Sequence, residues 1–250
     1  MPEVLDTDTE RFSRLTAISR IGVAGLERLT QACVVIIGCG GLGSTSAELL
    51  VRSGIGRLRL VDDDCVEPGN LYGQGLYAAQ DARQSRAKVC AAQERLLQIQ
   101  PDAWVEPVQE RFERRNAARL LDGTDLVLDG TDNDYSRYWI NQACLQEGIP
   151  WIFAATRDCA GLTMNVIPGE TPCFVCAFGI PTRPGPRYPN QCSLSSVTQA
   201  LAAIQVCQAI RLLTCQEYNR GLVYVDAWEP CLETLEIHSP INGCPACGRR

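Results

Sequence analysis

The segment that most restricts the fold is an apolar run followed by a glycine-rich turn. Residues 33–37, CVVII, have the composition of a strand buried on both faces of a parallel sheet. The next six residues, GCGGLG, match the pattern G-x-G-x-x-G, and a helix is predicted over Leu42–Ser53. A strand, a glycine turn and a helix in this order predict the first unit of an open α/β sheet.

Strands and helices keep alternating as far as residue 155, after an N-terminal helical segment over Arg11–Leu29. This spacing indicates βαβ units and predicts a Rossmann-like, doubly wound, mainly parallel sheet with helices on both faces. The predicted strands are Leu58–Val61, Trp104–Val108, Leu126–Asp129 and Trp151–Ala155, and the predicted helices are Ser85–Gln98, Asn116–Leu121 and Asp134–Gln146.

The C-terminal part has a different pattern. Residues 179–191 are rich in Pro, Gly and Arg, which predicts an exposed loop, and a long apolar helix is predicted over Ser195–Leu213. Strands are predicted over Gly161–Ile167, Leu222–Asp226 and Leu232–Ile237, the last two antiparallel. We therefore expect antiparallel strands to extend the parallel sheet.

The glycine turn predicts a nucleotide site. Glycines let the backbone approach phosphates closely, and the helix that follows offers free N–H groups and a partial positive charge. Asp62, at the end of the next strand, is placed to accept hydrogen bonds from ribose hydroxyls. These residues do not determine which nucleotide binds, and NAD remains open.

Charge and hydropathy exclude two classes of partner. The formal net charge of −6 and the pI near 5.0 argue against nucleic acid, which requires a basic surface. No apolar run approaches the roughly 20 residues that span a bilayer, and the N-terminus, MPEVLDTDTE, is acidic where a signal peptide is basic. We expect a cytoplasmic protein with no membrane partner.

Four of the 14 cysteines form two Cys-x-x-Cys pairs, Cys173/Cys176 and Cys244/Cys247. Four thiolates in this arrangement suit a closed tetrahedral Zn²⁺ site with no open position for catalysis. The sequence therefore predicts a structural zinc site that holds the C-terminal tail against the sheet. The remaining cysteines are interpreted as reduced, partly buried thiols, with Cys39 a small filler in the glycine turn.

Several motifs together resemble the ThiF/MoeB/HesA family, the bacterial relatives of the ubiquitin-activating enzymes. The resemblance covers nearly the whole chain, and the combination is far more specific than any single motif. The motifs are RFSRL at 11–15, GCGGLG at 38–43, VDDDCVEPGNL at 61–71, AKV at 87–89, LDGTDNDYSRYWIN at 128–141 and the two cysteine pairs.

The resemblance implies an adenylyltransferase. Such enzymes use ATP and Mg²⁺ to adenylate a carboxylate, usually the C-terminal glycine of a small ubiquitin-like sulfur carrier protein, before sulfur is transferred from a donor. They are typically zinc-bearing homodimers. The resemblance also implies a single domain in three parts: an N-terminal helical segment (1–30), a nucleotide-binding half (31–156) and a zinc-bearing, substrate-docking half (157–250).

The resemblance assigns roles to individual residues. Lys88, the single lysine of the chain, would contact the phosphates and offset charge at the α-phosphate, and Asp132 would hold Mg²⁺ or order the triphosphate. Arg14 would reach into the site of a neighbouring subunit. The residues expected to contact the nucleotide are Gly38, Gly40, Gly41, Gly43, Asp62, Asp64, Asn70, Gln74, Lys88, Asp132 and Asn133. Asp132 and Asn133 are also interpretable as caps of the following helix.

The sequence departs from the family pattern at two places. Gly73 stands where the family has an arginine that contacts the triphosphate, which predicts weaker ATP use, compensation by Arg83 or Arg86, or a specialised chemistry. Cys192 occupies the position of a family thiol, but Ser-Leu-Ser-Ser-Val follows it instead of Ala-Gly-Val. A covalent role for Cys192 therefore stays open, and His238, the single histidine, is interpreted as structural.

Three alternative functions remain. In the first alternative, the enzyme adenylates the carboxylate of a peptide or metabolite in a specialised biosynthetic pathway. Gly73 and the Ser195-Ser196 pair favour this alternative. A nicotinamide-dependent oxidoreductase would use the glycine turn and Asp62 but would leave Lys88 and the cysteine pairs without a task. The third alternative is a noncatalytic scaffold that docks a carrier protein.

Overall fold

A single mixed sheet forms the centre of the protein. A computed structural model describes residues 10–181, 192–215, 217–237 and 243–248. Within these residues eight strands lie in the order β3-β2-β1-β4-β5-β6-β7-β8. The strands are β1 (Cys33–Ile37), β2 (Arg57–Val61), β3 (Trp104–Val108), β4 (Leu126–Asp129), β5 (Trp151–Arg157), β6 (Ala160–Val166), β7 (Leu222–Asp226) and β8 (Cys231–Leu235).

The first five strands are parallel, as predicted from the sequence. β1 pairs in parallel with β2 and β4, and its five residues are all buried because helices cover both faces of the sheet. β3 extends this half beyond β2, and β5 extends it beyond β4. The strand order reverses between β1 and β4, which is where open α/β sheets bind ligands.

The helices cover the sheet and connect its strands. They are α1 (Ser13–Thr16), α2 (Gly22–Gln31), α3 (Gly41–Arg52), α4 (Ala79–Arg83), α5 (Lys88–Ile99), α6 (Ala117–Leu120), α7 (Asp134–Glu147), α8 (Phe174–Phe178) and α9 (Ser195–Cys215), with a 3₁₀ turn at Pro68–Tyr72. Two predicted helices begin or divide at left-handed residues. Residues 17–21 separate α1 from α2, which begins at Gly22 with φ +60°, and Ser85, at φ +46°, precedes the later start of the predicted 85–98 helix at Lys88.

The antiparallel half continues the same sheet. β5 and β6 form a hairpin whose connection is Asp158-Cys159, with Asp158 in the left-handed region at φ +54°. β7 and β8 follow in antiparallel order. The predicted fold class is therefore confirmed, and the boundary predicted near residue 157 falls within one continuous sheet.

Helix α9 is the main apolar element that packs on this sheet. Among the described residues it is the one helix long and apolar enough to cross a membrane by length and composition alone, and 44% of its most apolar 18-residue stretch is buried inside the protein. It packs against α2, α3 and β5, with Val197, Leu201 and Val206 buried. The buried apolar side chains of α9 therefore pack against the rest of the protein. The first turn of α9 lies near the carboxyl ends of the parallel strands.

Candidate active site

A cleft of about 1220 Å³ lies at the carboxyl ends of β1, β2 and β4. It is closed on another side by the first turn of α9, where Ser195 and Thr198 line it. The sequence-predicted residues that line the cleft are Gly38, Gly40, Gly41, Asp62, Asp64, Asn70, Gln74, Lys88, Asp132 and Asn133. The fold therefore brings most of the predicted nucleotide-binding residues into one cavity.

The glycines of the turn have two different roles. Gly38 has φ +91°, and a Cβ at Gly43 would lie 1.8 Å from the Gly38 carbonyl oxygen. A Cβ at Gly130 would lie 2.2 Å from the same oxygen. By contrast, a Cβ at Gly40 would meet nothing closer than 3.9 Å. Gly43 does not line the cleft and serves backbone packing, whereas Gly40 leaves an open position at the floor of the cleft.

Asp62 holds the turn in shape. Its Oδ2 accepts a hydrogen bond from the Cys39 N–H at 2.6 Å, and its Oδ1 accepts one from the Asp64 N–H at 2.8 Å. Burial raises the pKa of the Asp62 carboxyl, against the lowering effect of Lys88. On the other side, the Tyr77 hydroxyl donates to the Cys39 carbonyl oxygen at 2.7 Å, and burial raises the pKa of Tyr77. Cys39 is thereby held from both directions as part of the turn.

Lys88 is buried at the cleft wall. It is the first residue of α5, its exposed fraction is 6%, and its Nζ lies 3.0 Å from the Asp64 Oδ2. The Asp64 carbonyl oxygen also accepts the Lys88 N–H at 3.0 Å. A buried lysine needs a partner charge, and Asp64 supplies one while the ammonium still faces the cleft. The location of the single lysine agrees with a role towards an anionic ligand.

The Thr131-Asp132-Asn133 turn begins α7 at the end of β4. Asn133 is the N-cap residue, and its Oδ1 accepts the Ser136 N–H at 2.9 Å. Its Nδ2 donates to the Asp132 Oδ1 at 3.1 Å, and Asp132 is exposed to the cleft. The capping interpretation is thus confirmed for Asn133, while Asp132 presents its carboxylate at the cavity.

The 3₁₀ turn supplies a second wall. Asn70 Oδ1 accepts the Glu67 N–H at 2.8 Å, so this side chain shapes the turn. Gln74 Oε1 is buried without a hydrogen-bond partner among the described residues, which suits a ligand donor in the cleft. Gly73 also lines the cleft, and a Cβ there would lie 3.6 Å from the Ser195 Cβ, an ordinary contact.

Several predicted residues lie away from the cleft. Arg14 is exposed on α1, and Cys192 is exposed beside β5, where its carbonyl oxygen accepts the Asp158 N–H at 2.9 Å. Neither side chain lines the cavity. His238 and residues 182–191 of the predicted loop lie outside the described residues.

The two arginines near Gly73, Arg83 and Arg86, do not supply a positive charge to the cleft. Arg86 is engaged with Asp81 at 3.0 Å and Glu94 at 2.6 Å, and neither it nor Arg83 lines the cleft. Pairing with these two carboxylates ties Arg86 to α4 and α5. Of the three readings of Gly73, compensation by Arg83 or Arg86 therefore has no support from the lining of this cleft, and it stays a prediction.

The sequence did not reveal the cationic and aromatic residues on the opposite wall. Arg137 is buried and lines the cleft, as do Trp139 and Arg114, whose guanidinium lies 6.0 Å from the Trp139 ring. Arg114 follows β3, and Trp139 lies on α7. Only the position of Arg137, four residues after the N-cap Asn133, gave a signal, because that spacing returns it to the same side of the helix.

The four predicted metal-ligating cysteines converge. Their Sγ atoms all lie within 4.8 Å of one another, with Cys173 3.8 Å from Cys244 and Cys176 3.4 Å from Cys247. Zn–S bonds of about 2.3 Å in a tetrahedron place sulfurs about 3.8 Å apart. Burial raises the pKa of the Cys173 thiol to about 11, so a bound cation would displace its proton. The donor set and its spacing fit a structural zinc ion.

Comparison with known proteins identifies the family. A family model described as ThiF family matches residues 12–246. The chain belongs to the ThiF family. The resemblance drawn from its motifs is thereby confirmed, and the matched region includes the cleft and three of the four clustered cysteines, ending one residue before Cys247.

Two curated relatives align with nearly the whole length of this ThiF-family chain. It is 34% identical over 245 residues to the sulfur carrier protein ThiS adenylyltransferase of Bacillus subtilis, covering 97% of this chain and 72% of the relative. It is also 34% identical over 248 residues to the SAMP-activating enzyme E1 of Haloferax volcanii, and this match covers 97% of this chain and 90% of the relative.

A solved structure supports the fold. The crystal structure of E. coli MccB with ATP matches with a TM-score of 0.83 at 22% identity, covering 96% of this chain and 75% of that one. At this identity the likeness concerns the fold, and it agrees with the mixed sheet described above.

Proposed function

We propose that this ThiF-family protein is an ATP-dependent adenylyltransferase that activates the C-terminal carboxylate of a small ubiquitin-like sulfur carrier protein. The observation that carries the proposal is the cleft, which combines the open Gly40 position, buried Lys88 and the exposed carboxylate of Asp132. The ThiS adenylyltransferase and SAMP-activating relatives support the choice of substrate. An oxidoreductase reading leaves Lys88 and Asp132 without a role.

The reaction follows from the positions of these groups. A carboxylate oxygen of the carrier attacks the α-phosphorus of ATP, an O–P bond forms, and the bond to pyrophosphate breaks. Lys88 lies where it would offset the charge that grows on the α-phosphate oxygens, and the N–H groups at the start of α3 would face the phosphates. Asp132 offers oxygen ligands of the kind Mg²⁺ prefers, and the ion would neutralise triphosphate charge.

Other parts of the assignment rest on family membership. We propose a zinc ion at Cys173, Cys176, Cys244 and Cys247, and a cytoplasmic homodimer in which Arg14 serves the cleft of the second copy. The exposure of Arg14 outside its own cleft supports that arrangement. Sulfur transfer from a donor, with or without Cys192, would follow adenylation.

A second candidate is adenylation of a peptide carboxylate in a specialised pathway. The observation that favours it is Gly73, which lines the cleft beside Ser195 at the start of α9 and stands where the family pattern implies an arginine. Relative to an arginine, a glycine at this position would leave the cleft larger and less positively charged. A different acyl group would fit the extra space.

Pyrophosphate exchange into ATP tests the proposal and separates the two substrates. The protein is incubated with Mg·ATP and labelled pyrophosphate, with a carrier ending in Gly-Gly, with the same carrier as its C-terminal amide, or with a free peptide acid. We expect exchange with the carrier acid and none with the amide, which has no attacking carboxylate. Exchange with the peptide alone would select the second candidate. ATP binding without exchange for any carboxylate would contradict both.

A further inference from the structure

A buried ionic network lies beneath the Thr131-Asp132-Asn133 turn. Arg137, on α7, donates from Nε to the Asp129 Oδ2 at 3.0 Å and from Nη1 to the Asp134 Oδ1 at 2.9 Å. Its Nη2 donates to the Thr131 carbonyl oxygen at 2.8 Å and, more weakly, to the Ala154 carbonyl oxygen at 3.3 Å. One guanidinium thus binds residues before, within and after the turn that carries Asp132.

The buried carboxylate of Asp129 ties the same turn to the sheet. Asp129 has no exposed surface, and its Oδ1 accepts from both the N–H and the hydroxyl of Thr131, at 2.9 and 2.6 Å. Burial raises the pKa of the Asp129 carboxyl, and Arg137 opposes that shift. A buried ion pair contributes little net stability by itself, and the several hydrogen bonds that this pair makes to the turn point to a geometric role.

The network also reaches helix α9. Gln205 Nε2 donates to the Asp129 carbonyl oxygen at 3.0 Å and to the Ile152 carbonyl oxygen at 2.9 Å, while its Oε1 accepts from the Ser46 hydroxyl at 3.1 Å. The end of β4 is therefore held from both faces of the sheet. Asp132 is the exposed member of a turn whose neighbours on both sides are fixed.

We propose that Arg137 is a positioning residue for the adenylation reaction, acting through Asp132. This inference rests on the proposed function. The planar fork of arginine serves several acceptors at fixed angles, which a lysine ammonium cannot reproduce at the same positions. Loss of the fork would release the turn and displace the Asp132 carboxylate from the position that Mg·ATP requires.

The test compares two arginine-to-lysine variants in pyrophosphate exchange. Arg59→Lys is the matched control, because Arg59 is also largely buried and bonds Glu106 and the Leu120 carbonyl oxygen but lies outside the cleft. We expect Arg137→Lys to lower the exchange rate by about 100-fold and to raise the Mg²⁺ concentration for half-maximal rate several-fold. We expect Arg59→Lys to retain the wild-type rate and Mg²⁺ dependence.

A double variant separates positioning from a general structural effect. If Arg137 acts through Asp132, then adding Asp132→Asn to Arg137→Lys causes little further loss, because the carboxylate is already misplaced. Independent, multiplicative losses, or a wild-type Mg²⁺ dependence in Arg137→Lys, would overturn the inference. Absence of exchange in the wild type and in Arg59→Lys would instead contradict the proposed function.

A milder variant covers the case in which Arg137→Lys does not fold. Asp134→Asn removes only the exposed end of the network, since the Asp134 side chain is 66% exposed. We expect it to retain the wild-type melting temperature and to shift the Mg²⁺ dependence in the same direction by a smaller factor. An unchanged Mg²⁺ dependence in this folded variant would also overturn the inference.

Discussion

At the residue scale, the structure distinguishes glycines that pack from a glycine that leaves room for a ligand. Gly43 and Gly130 each approach the Gly38 carbonyl oxygen so closely that a methyl group would overlap it. Gly40 has a negative φ of −74° and open space around its Cβ position. The three glycines of the G-x-G-x-x-G pattern therefore differ: backbone geometry and packing account for Gly38 and Gly43, and Gly40 leaves open space at the cleft.

This distinction gives a paired prediction. Gly43→Ala is expected to destabilise the fold on the order of 3 kcal/mol, because the backbone around residue 38 must shift. Gly40→Ala is expected to melt like the wild type and to bind ATP more weakly, because its methyl group occupies the open position. Thermal melts and nucleotide titration of both variants check this. Equal stability losses would show that Gly40 is also a packing residue.

Gly73 gives a prediction in the opposite direction. Its φ is −137°, and its Cβ position makes only ordinary contacts, so a longer side chain is compatible with the backbone. Gly73→Arg adds one charged donor to the cleft, and such hydrogen bonds contribute about 1.5–3 kcal/mol. We expect ATP to bind about 10- to 150-fold more tightly.

The control for Gly73→Arg is Gly75→Arg. Gly75 is exposed, lies two residues away and does not line the cleft, so this variant adds the same charge outside the site. Calorimetric titration with Mg·ATP should show a gain for Gly73→Arg alone. An equal gain in both variants would indicate a long-range charge effect, which salt would screen.

At the element scale, local patterns predicted the fold well and its long-range contacts poorly. β1, the glycine turn and α3 were recognised because each signal lies within a few consecutive residues. The fork from Arg137 to Asp129 and the docking of Gln205 on two strand ends depend on tertiary neighbours that no local pattern contains. The role of Arg14 depends on a second chain and stays a prediction.

Helix α9 supplies the prediction at this scale. Gln205 has no exposed surface and forms three hydrogen bonds that join α9 to α3, β4 and β5. Replacing it by methionine keeps most of the volume but leaves buried polar groups without partners, at a cost of about 1–3 kcal/mol each. We expect Gln205→Met to lower the melting temperature by several degrees.

The exposed face of α9 offers the control. Gln199→Met makes the same change on the same helix at an exposed position. We expect its melting temperature to stay within about 1 °C of the wild type, since surface substitutions change stability little. Similar losses in both variants would mean that Gln205 contributes helix propensity and not anchoring.

At the scale of the whole molecule, the cysteine cluster joins parts of the chain that are distant in sequence. Cys173 is the N-cap residue of α8, and Cys176 lies within that helix. Cys244 follows Cys173 by 71 residues, and Cys247 follows Cys176 by the same number. We expect one zinc ion per chain by native mass spectrometry. Cys244→Ala should lose the ion, while Cys90→Ala, an exposed cysteine outside the cluster, should retain it. Zinc-free wild-type protein after incubation with zinc would contradict this assignment.

The central claim is that the ammonium of Lys88 contacts the phosphates of ATP held above the glycine turn. Calorimetric titration of the wild type and Lys88→Ala with Mg·ATP tests it most directly. We predict that the wild type binds one nucleotide per chain and that Lys88→Ala binds it about 10- to 150-fold more weakly, since one charge-assisted contact is lost. Equal affinity in the two folded proteins would contradict the claim.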